Sequence, residues 1–174
     1  MKQFLRLTDY TKADIYEIFH ITDEILEGHY QNLLQGKSVV LFFPESSIRT
    51  RVTFEKGIAL LGGQPILFPS SALDKKEDLQ DVVGYLNNWA NLLVVRHRDM
   101  AALEKIATSA SVPVINALTD VNHPCEMVAD LYALSKIRND FTKDHFLFCG
   151  VTGNIGLAWK EASEVMGFSL EQCC

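Results

Sequence analysis

The sequence lacks paired cysteine motifs, long apolar runs and an excess of positive charge, and each absence excludes a class of protein. The four cysteines, Cys125, Cys149, Cys173 and Cys174, show no zinc-site spacing. An acidic intracellular chain gives no reason to expect disulfides, so we expect reduced thiols. The N-terminus lacks the apolar core of a signal peptide, and no run approaches the ~18 apolar residues that a membrane span needs. These absences predict a cytoplasmic protein with no membrane partner.

The charge balance limits the partners in the same way. The 174 residues carry a net charge of -6 at pH 7, so a broad basic face for nucleic acid is not expected. Any anion site must be a local cluster, which suits a small anionic metabolite. With 48% hydrophobic and 22% charged residues, the chain can bury a core and shows no signature of disorder.

Four short apolar runs alternate with segments of helical periodicity. They cover residues 39–43, 65–68, 92–95 and 113–115, after an opening helix over 12–26 that starts at a weakened capping box, Thr11 with Asp14. Strands without polar alternation are buried on both faces, so these units predict an α/β fold with a parallel sheet flanked by helices. Such sheets bind ligands at the carboxyl ends of their strands.

A second domain is predicted to begin after a polar segment. We expect a first domain over 1–140, ending in a helix over 124–137, and the start of a second domain over 141–174. The second part reads as a strand over 145–149, a glycine turn, a helix to about Met166 and a further strand start. One strand and one helix cannot close a core, so we expect a truncated domain. The glycine spacing is not G-x-G-x-x-G, and no nicotinamide cofactor is predicted.

The segment Ser47-Ile48-Arg49-Thr50-Arg51 is built like a phosphate site. It follows the first predicted strand and Pro44, and a helix is expected to begin near Thr50. A helix start there would aim unpaired N–H groups and a positive dipole at one point. Arginine adds a planar fork of donors that matches phosphate oxygens. Two arginines on a loop are also typical of a solvated surface, and that alternative stays open.

Three further places carry candidate polar groups. Arg96 ends the third predicted strand, where it can meet a ligand or form a salt bridge. His123 precedes Pro124, which favours the first helical position, so the histidine either donates to a carbonyl oxygen or caps the helix. Ser71 and Lys75 lie on a polar loop, where lysines are usually solvated.

Together these segments resemble the aspartate and ornithine carbamoyltransferases. The matching pieces, in order and in register over about Phe4 to Gly167, are Ser47-x-Arg49-Thr50-Arg51, Phe54-Glu55, Leu61-Gly62-Gly63, Val95-Arg96-His97 and Leu118-Thr119-Asp120-x-x-His123-Pro124-Cys125. The resemblance implies a carbamoyl-phosphate domain followed by an amino-acid domain, with active sites shared between the subunits of a homotrimer. It implies that the reaction requires no metal, no organic cofactor and no covalent intermediate.

The resemblance also implies roles for individual residues. Arg96 and His123, together with Thr50, match the groups around the carbamoyl carbonyl oxygen. Ser71 and Lys75 match a loop that, in the aspartate branch, reaches into the neighbouring subunit's site. The residues that match the family's phosphate-binding turn are Ser47, Ile48, Arg49 and Thr50.

Two positions depart from the family pattern. Ile48 replaces a small polar residue, which removes a hydroxyl but leaves the backbone donors. Glu126 stands where the family usually has glutamine, and an ionised carboxylate only accepts hydrogen bonds, which is unfavourable beside an anionic phosphoester. Glu126 is then protonated, paired with Arg96 or bonded to the carbamoyl amino group, or the site is altered. We favour a hydrogen bond from the carbamoyl nitrogen to this carboxylate.

The resemblance leaves several functions open. Ornithine, giving citrulline and phosphate as in arginine biosynthesis, is placed first as acceptor because Leu118-Thr119-Asp120 and Cys125 match that branch. Aspartate or another amine, a non-catalytic carbamoyl-phosphate-binding fragment or paralogue, and an unrelated phosphate-binding module are the alternatives. An incomplete second domain would expose Ile and Phe side chains of the helix over 12–26, which predicts association.

Overall fold

The computed structural model, which describes residues 3–74 and 76–174, contains a four-stranded parallel sheet. Its strands are β1 (Ser38–Phe43), β2 (Gln64–Pro69), β3 (Leu92–Arg96) and β4 (Val114–Leu118). The strand order is β2-β1-β3-β4, and each neighbouring pair is parallel. The predicted α/β class is confirmed, and β1 and β3 occupy the centre of the sheet.

Helices cover both faces of this sheet. The first five helices along the chain are α1 (Lys12–Leu26), α2 (Ile48–Leu60), α3 (Leu79–Leu86), α4 (Met100–Ser109) and α5 (Pro124–Ile137). The faces of β1 are covered by α2, α3 and α4, whereas the buried residues of α1 lie in a separate core. One face of β1, with Val40 and Phe42, packs in a core with residues of α3 and α4. The other face, with Val39 and Leu41, packs in a core that includes Ile58 of α2. Both faces of β1 are therefore buried, as a strand without polar alternation requires.

Local signals in the sequence fix where several helices begin. The capping box of α1 forms in full, since the Thr11 N–H donates to Asp14 Oδ2 at 2.8 Å and the Asp14 N–H donates to Thr11 Oγ1 at 3.2 Å. The carboxylates of Asp78 and Asp99 accept hydrogen bonds from the first turns of α3 and α4. Pro124 starts α5, as predicted from its fixed φ.

A second, two-stranded parallel sheet follows. It consists of β5 (His145–Cys149) and β6 (Ser169–Cys173), joined by α6 (Asn154–Met166). Helix α6 shares one apolar core with α1 and α5. Ile15 and Phe19 of α1 are buried in that core, so the expectation that α1 exposes such side chains is wrong. The covering surface comes from distant segments, which periodicity within α1 cannot reveal.

Within residues 3–74 and 76–174, no helix combines the length and the apolar character that crossing a membrane demands.

Candidate functional site

The carboxyl ends of β1 and β3 open onto a cleft with a volume of about 950 Å³. Because both strands are central and parallel, the segments that follow them meet at one edge of the sheet. Part of the cleft wall is contributed by Asn154 and Ile155 at the start of α6. The predicted site residues that line the cleft are Ser47, Ile48, Arg49, Thr50, Arg96, His123 and Glu126.

Arg96 connects the end of β3 to the start of α2. Its Nη1 donates to Ser47 Oγ at 2.9 Å and to Thr50 Oγ1 at 3.2 Å. The pairing of β3 with β4 shifts between Val95 and Arg96, and such bulges re-aim side chains beside functional sites. Among the described residues, Arg96 has no carboxylate partner, so the salt bridge considered as an alternative does not form there.

The start of α2 leaves backbone donors facing the cleft. The helix begins at Ile48, two positions earlier than the predicted start near Thr50, and Ser47 occupies its N-cap position. The Ser47 hydroxyl makes no cap bond and accepts from Arg96 instead. In the described part of the chain, the N–H groups of Arg49 and Thr50 have no backbone acceptor, as expected for a first helical turn. A ligand oxygen at this position would accept from both.

The two arginines of the turn have different environments. Arg51 Nε donates to Glu55 Oε1 at 2.6 Å along the exposed side of α2, so a carboxylate partly neutralises its charge. Arg49 is exposed and lines the cleft. Its guanidinium forms no ion pair with any residue that the structure describes. The solvated-surface alternative therefore fits Arg51, while Arg49 is available to bind an anion.

His123 and Glu126 are hydrogen-bonded inside the cleft. His123 Nε2 lies 2.8 Å from Glu126 Oε2, and the two side chains are 5% and 53% exposed. Burial lowers the pKa of His123, and nearby Arg96 lowers it further, whereas Glu126 raises it. His123 makes no side-chain cap bond to α5, although it occupies the N-cap position. The structure thus pairs Glu126 with His123 and not with Arg96.

The other ring nitrogen of His123 faces inward without a partner. Nδ1 is buried and has no hydrogen-bond partner among the described residues. A buried nitrogen without a partner is costly unless a ligand or water satisfies it. The imidazole is therefore held by its burial and by Glu126, and it retains one nitrogen that can still bond.

A buried polar network holds the loop that carries His123. Asn116 Nδ2 donates to Asn122 Oδ1 at 2.7 Å, and the Asn122 N–H donates to Thr119 Oγ1 at 3.2 Å. Asn122 Nδ2 donates to Glu161 Oε1 at 3.1 Å, and Glu161 lies on α6. Asn154 Nδ2 donates to the Thr119 carbonyl at 2.8 Å. The loop between β4 and α5 is therefore held by hydrogen bonds to β4 of the first sheet and to α6, the helix that joins the strands of the second sheet.

Cys125 lines the cleft but is chemically inert. Its Sγ donates to the Asn116 carbonyl at 3.2 Å, and burial raises the pKa of the thiol to about 12. A thiol with that pKa is not a nucleophile at neutral pH. Within the described residues, no cluster of three His, Cys, Asp or Glu side chains that could hold a metal ion is found.

Ser71, on the polar loop after β2, lies outside the cleft. Ser71 belongs to a 3-10 helix, Ser70–Asp74, and does not line the cleft of its own chain. Asp74 Oδ1 lies 2.9 Å from His97 Nε2, which ties this segment to the end of β3. Lys75, the other predicted residue of the loop, lies outside the described residues.

Sequence reasoning missed Asn154 and Ile155 as part of the cleft wall. They follow a second strand, turn and helix start, β5 to α6, which repeats the arrangement of β1 and α2. That repetition is visible in the sequence, but it does not show that the two helix starts face each other. The packing of α6 on α5 and on the N-terminal segment brings them together.

Comparison with known proteins identifies a family whose sequence pattern this chain shares. Residues 2–136 match the family described as aspartate/ornithine carbamoyltransferase, carbamoyl-P binding domain. The chain belongs to this family. The family resemblance is thereby confirmed, and the alternative of an unrelated phosphate-binding module is wrong.

Named relatives and solved structures agree with this assignment. The chain is 34% identical to the ornithine carbamoyltransferases of Geobacter sulfurreducens and Geobacter metallireducens, with 100% and 99% of this chain aligned. It spans 59% of the length of each of these relatives. The structure of an anabolic ornithine carbamoyltransferase from Campylobacter jejuni matches with a TM-score of 0.92 at 26% identity, covering 100% of this chain and 58% of that one. A putative aspartate carbamoyltransferase from Trypanosoma cruzi matches with a TM-score of 0.81 at 26% identity, covering 97% and 62%.

Proposed function

We propose that this chain forms the carbamoyl-phosphate-binding half of a carbamoyltransferase, which passes the carbamoyl group to an amino-acid amine and releases phosphate. The observation that supports this most directly is the convergence of Arg49, Arg96 and His123 on one cleft. Residues 1–140 are the proposed binding domain, and residues 141–174 the start of an amino-acid-binding domain. Ornithine is the proposed acceptor, because the relatives at 34% identity are named ornithine carbamoyltransferases.

The start of α2 is the proposed phosphate site. The N–H groups of Arg49 and Thr50 and the dipole of the helix favour an anion at this end. The guanidinium of Arg49 can add paired hydrogen bonds to phosphate oxygens. Ile48 supplies no side-chain donor, since its side chain is 71% exposed and apolar, and its N–H already donates to the Ser46 carbonyl at 3.0 Å.

Arg96, Thr50 and His123 are the proposed donors to the carbamoyl carbonyl oxygen. When an uncharged amine attacks the carbonyl carbon, negative charge builds on that oxygen and the phosphate departs as an anion. Donors that are fixed in advance stabilise this charge more in the transition state than in the ground state. The hydrogen bonds from Arg96 to Ser47 and Thr50 fix one such donor. The high pKa of Cys125 favours direct attack by the amine over a covalent thiocarbamate on that sulfur.

Assembly into a homo-oligomer, by resemblance a trimer, is part of the proposal. Ser71 does not line the cleft of its own chain, so a role for Ser71 in binding requires a second copy. The number of subunits can be measured directly by sedimentation of the protein with and without carbamoyl phosphate.

Calorimetry with carbamoyl phosphate tests the binding role. We expect Arg49→Ala to weaken binding roughly 10-fold to 100-fold, because a hydrogen bond to a charged group contributes about 1.5–3 kcal/mol. Arg51→Ala is the matched control. Its guanidinium is paired with Glu55 on the exposed side of α2, and exposed pairs contribute about 1 kcal/mol or less. Equal losses in both variants, or no binding by the folded wild-type protein, would refute the proposed site.

A non-catalytic carbamoyl-phosphate-binding role is the second candidate. The observation that favours it is the hydrogen bond between Glu126 and His123, which occupies a nitrogen that the carbonyl oxygen would need. Transfer of a radiolabelled carbamoyl group to ornithine, aspartate or another amine separates the two candidates. Tight binding without transfer to any of these amines would favour the second.

A further inference from the structure

Cys149 and Cys173 end the two strands of the second sheet directly opposite each other. In the parallel pairing of β5 with β6, Cys149 is the register partner of Cys173. The Gly150 N–H donates to the Cys173 carbonyl at 3.1 Å, which holds the two strand ends together. Neighbouring strands lie about 4.8 Å apart, within the ~4.4–6.8 Å that a disulfide requires between Cα atoms.

The two thiols share the exposed face of this sheet. Side chains alternate between the two faces of a sheet along each strand, so Leu147 and Cys149 lie on one face of β5 and Phe146 lies on the other. Cys173 is the register partner of Cys149 in the parallel pair, so it lies on the same face as Cys149. Leu147 is 65% exposed on that face, whereas Phe146 packs in the core. Both Cys149 and Cys173 are exposed. A dissolved oxidant can therefore reach them.

The other two cysteines differ from this pair. Cys125 is only partly exposed, in the cleft far along the chain from the second sheet, and its pKa of about 12 leaves almost no thiolate at neutral pH. Cys174 is exposed and follows β6, so it has no partner in the register of the sheet. Of the four cysteines, only Cys149 and Cys173 combine exposure with opposed positions on neighbouring strands.

We propose that Cys149 and Cys173 form a dithiol site that a low-molecular-weight disulfide oxidises to an intramolecular disulfide. One thiolate attacks the small disulfide, forms a mixed disulfide and releases one small thiolate. The second protein thiolate then attacks the protein sulfur of that mixed bond and releases the other small thiolate. The two cysteines lose two protons and two electrons, and the oxidant takes up the electrons as it becomes two thiols.

Oxidised glutathione is the probe for the test. The fully reduced 174-residue protein is incubated with it, quenched with acid and denatured before its free thiols are counted. We expect the count to fall from four to two, with the loss of the mass of two hydrogen atoms. Peptide mapping should place the new bond between Cys149 and Cys173, with Cys125 still free. A bond between Cys173 and Cys174, or glutathione adducts without an internal bond, would overturn the proposal.

Two variants and a second measurement sharpen the test. Cys174→Ser should form the internal bond as the wild type does, whereas Cys149→Ser should form none. Closing the segment between the two cysteines restricts the unfolded chain, so oxidation should raise the urea midpoint of the wild type and of Cys174→Ser. The midpoint of Cys149→Ser should not respond to oxidation. An internal bond in Cys149→Ser equal in yield to that of the wild type would contradict the assignment.

Discussion

Glu126→Gln removes one negative charge from the cleft and leaves the size of the side chain unchanged. The carboxylate lies 2.8 Å from His123 Nε2, on the wall that the proposed carbamoyl phosphate would face. Two effects of the carboxylate oppose binding of this ligand. It repels an anion, and it occupies a nitrogen that could otherwise donate to the carbonyl oxygen. Glutamine can still accept from His123, but a neutral acceptor holds a donor less strongly than a charged one.

The expected gain in affinity is modest because Glu126 is half exposed. A side chain that is 53% exposed is screened by water, and such exposed charge pairs contribute about 0.2–1 kcal/mol. A gain near the upper end corresponds to roughly 5-fold tighter binding of carbamoyl phosphate at 25 °C. Glu55→Gln is the matched control, since it removes the same charge from an ion pair on α2 outside the cleft.

The pH dependence of binding gives this prediction a second, independent readout. Glu126 raises the pKa of His123 against burial and Arg96, which lower it. The glutamine variant should therefore have a still lower His123 pKa. Protonated His123 favours an anion, so the strengthening of binding on acidification should move to lower pH in the variant. Calorimetry over about pH 5 to 8, with the ring protons of His123 followed by NMR, measures both quantities.

Two results would refute this reasoning. Unchanged or weaker binding by Glu126→Gln would show that the carboxylate does not oppose the ligand, which would fit a hydrogen bond from the carbamoyl nitrogen to Glu126. A gain of the same size in Glu55→Gln would show that the effect comes from net charge and not from the cleft. The position of the His123 titration separates these results, because Glu126 contacts that ring whereas Glu55 is paired with Arg51 outside the cleft.

Three further predictions concern stability, each measured by urea denaturation. Asn122→Ala leaves the buried amide of Asn116 and the carboxylate of Glu161 without this partner, so it should lower the free energy of unfolding by about 1–3 kcal/mol, while Asn88→Ala in the exposed turn that follows α3 should change it little. Because the folded-state pKa of His123 lies below its unfolded value, the free energy of unfolding should fall as the pH drops below about 6.5. His123→Asn should lack this part of the pH dependence. Gly63→Ala would place a Cβ 2.8 Å from Leu34 Cβ, so it should lower the free energy of unfolding by about 1–3 kcal/mol. The Cβ of Gly84→Ala, in α3, would meet nothing within 4 Å, so this variant should raise the free energy of unfolding by about 0.5–1 kcal/mol.

Most of the fold could be predicted because its signals are local. The apolar runs around Val40 and Val94 predicted buried parallel strands, and Pro124 predicted the start of α5. The convergence of Arg96 with Ser47 and Thr50 also followed from the rule that ligands bind at the carboxyl ends of parallel strands. These inferences need only periodicity, capping residues and sheet topology.

The remaining features depend on contacts between distant segments. The bulge at Arg96 arises from the register with β4, which the residues of β3 alone do not encode. The exposure predicted for Ile15 and Phe19 was wrong because α5 and α6 cover them. Each of these outcomes is decided by packing, after the local elements have formed.

The loop that carries His123 is hydrogen-bonded to the second sheet unit as well as preceding it in the sequence. Glu161 on α6 accepts from Asn122 Nδ2 at 3.1 Å and from the Leu7 N–H at 3.1 Å, so one carboxylate ties the second sheet unit to both the loop and the N-terminal segment. Asn154, at the start of the same helix, lines the cleft and bonds the same loop. A shift of α6 would therefore move His123 and the cleft wall together. The position of the imidazole relative to Arg96 is consequently set by both sheet units, and a variant that loosens α6 should disturb the binding of carbamoyl phosphate without altering any residue of the proposed phosphate site.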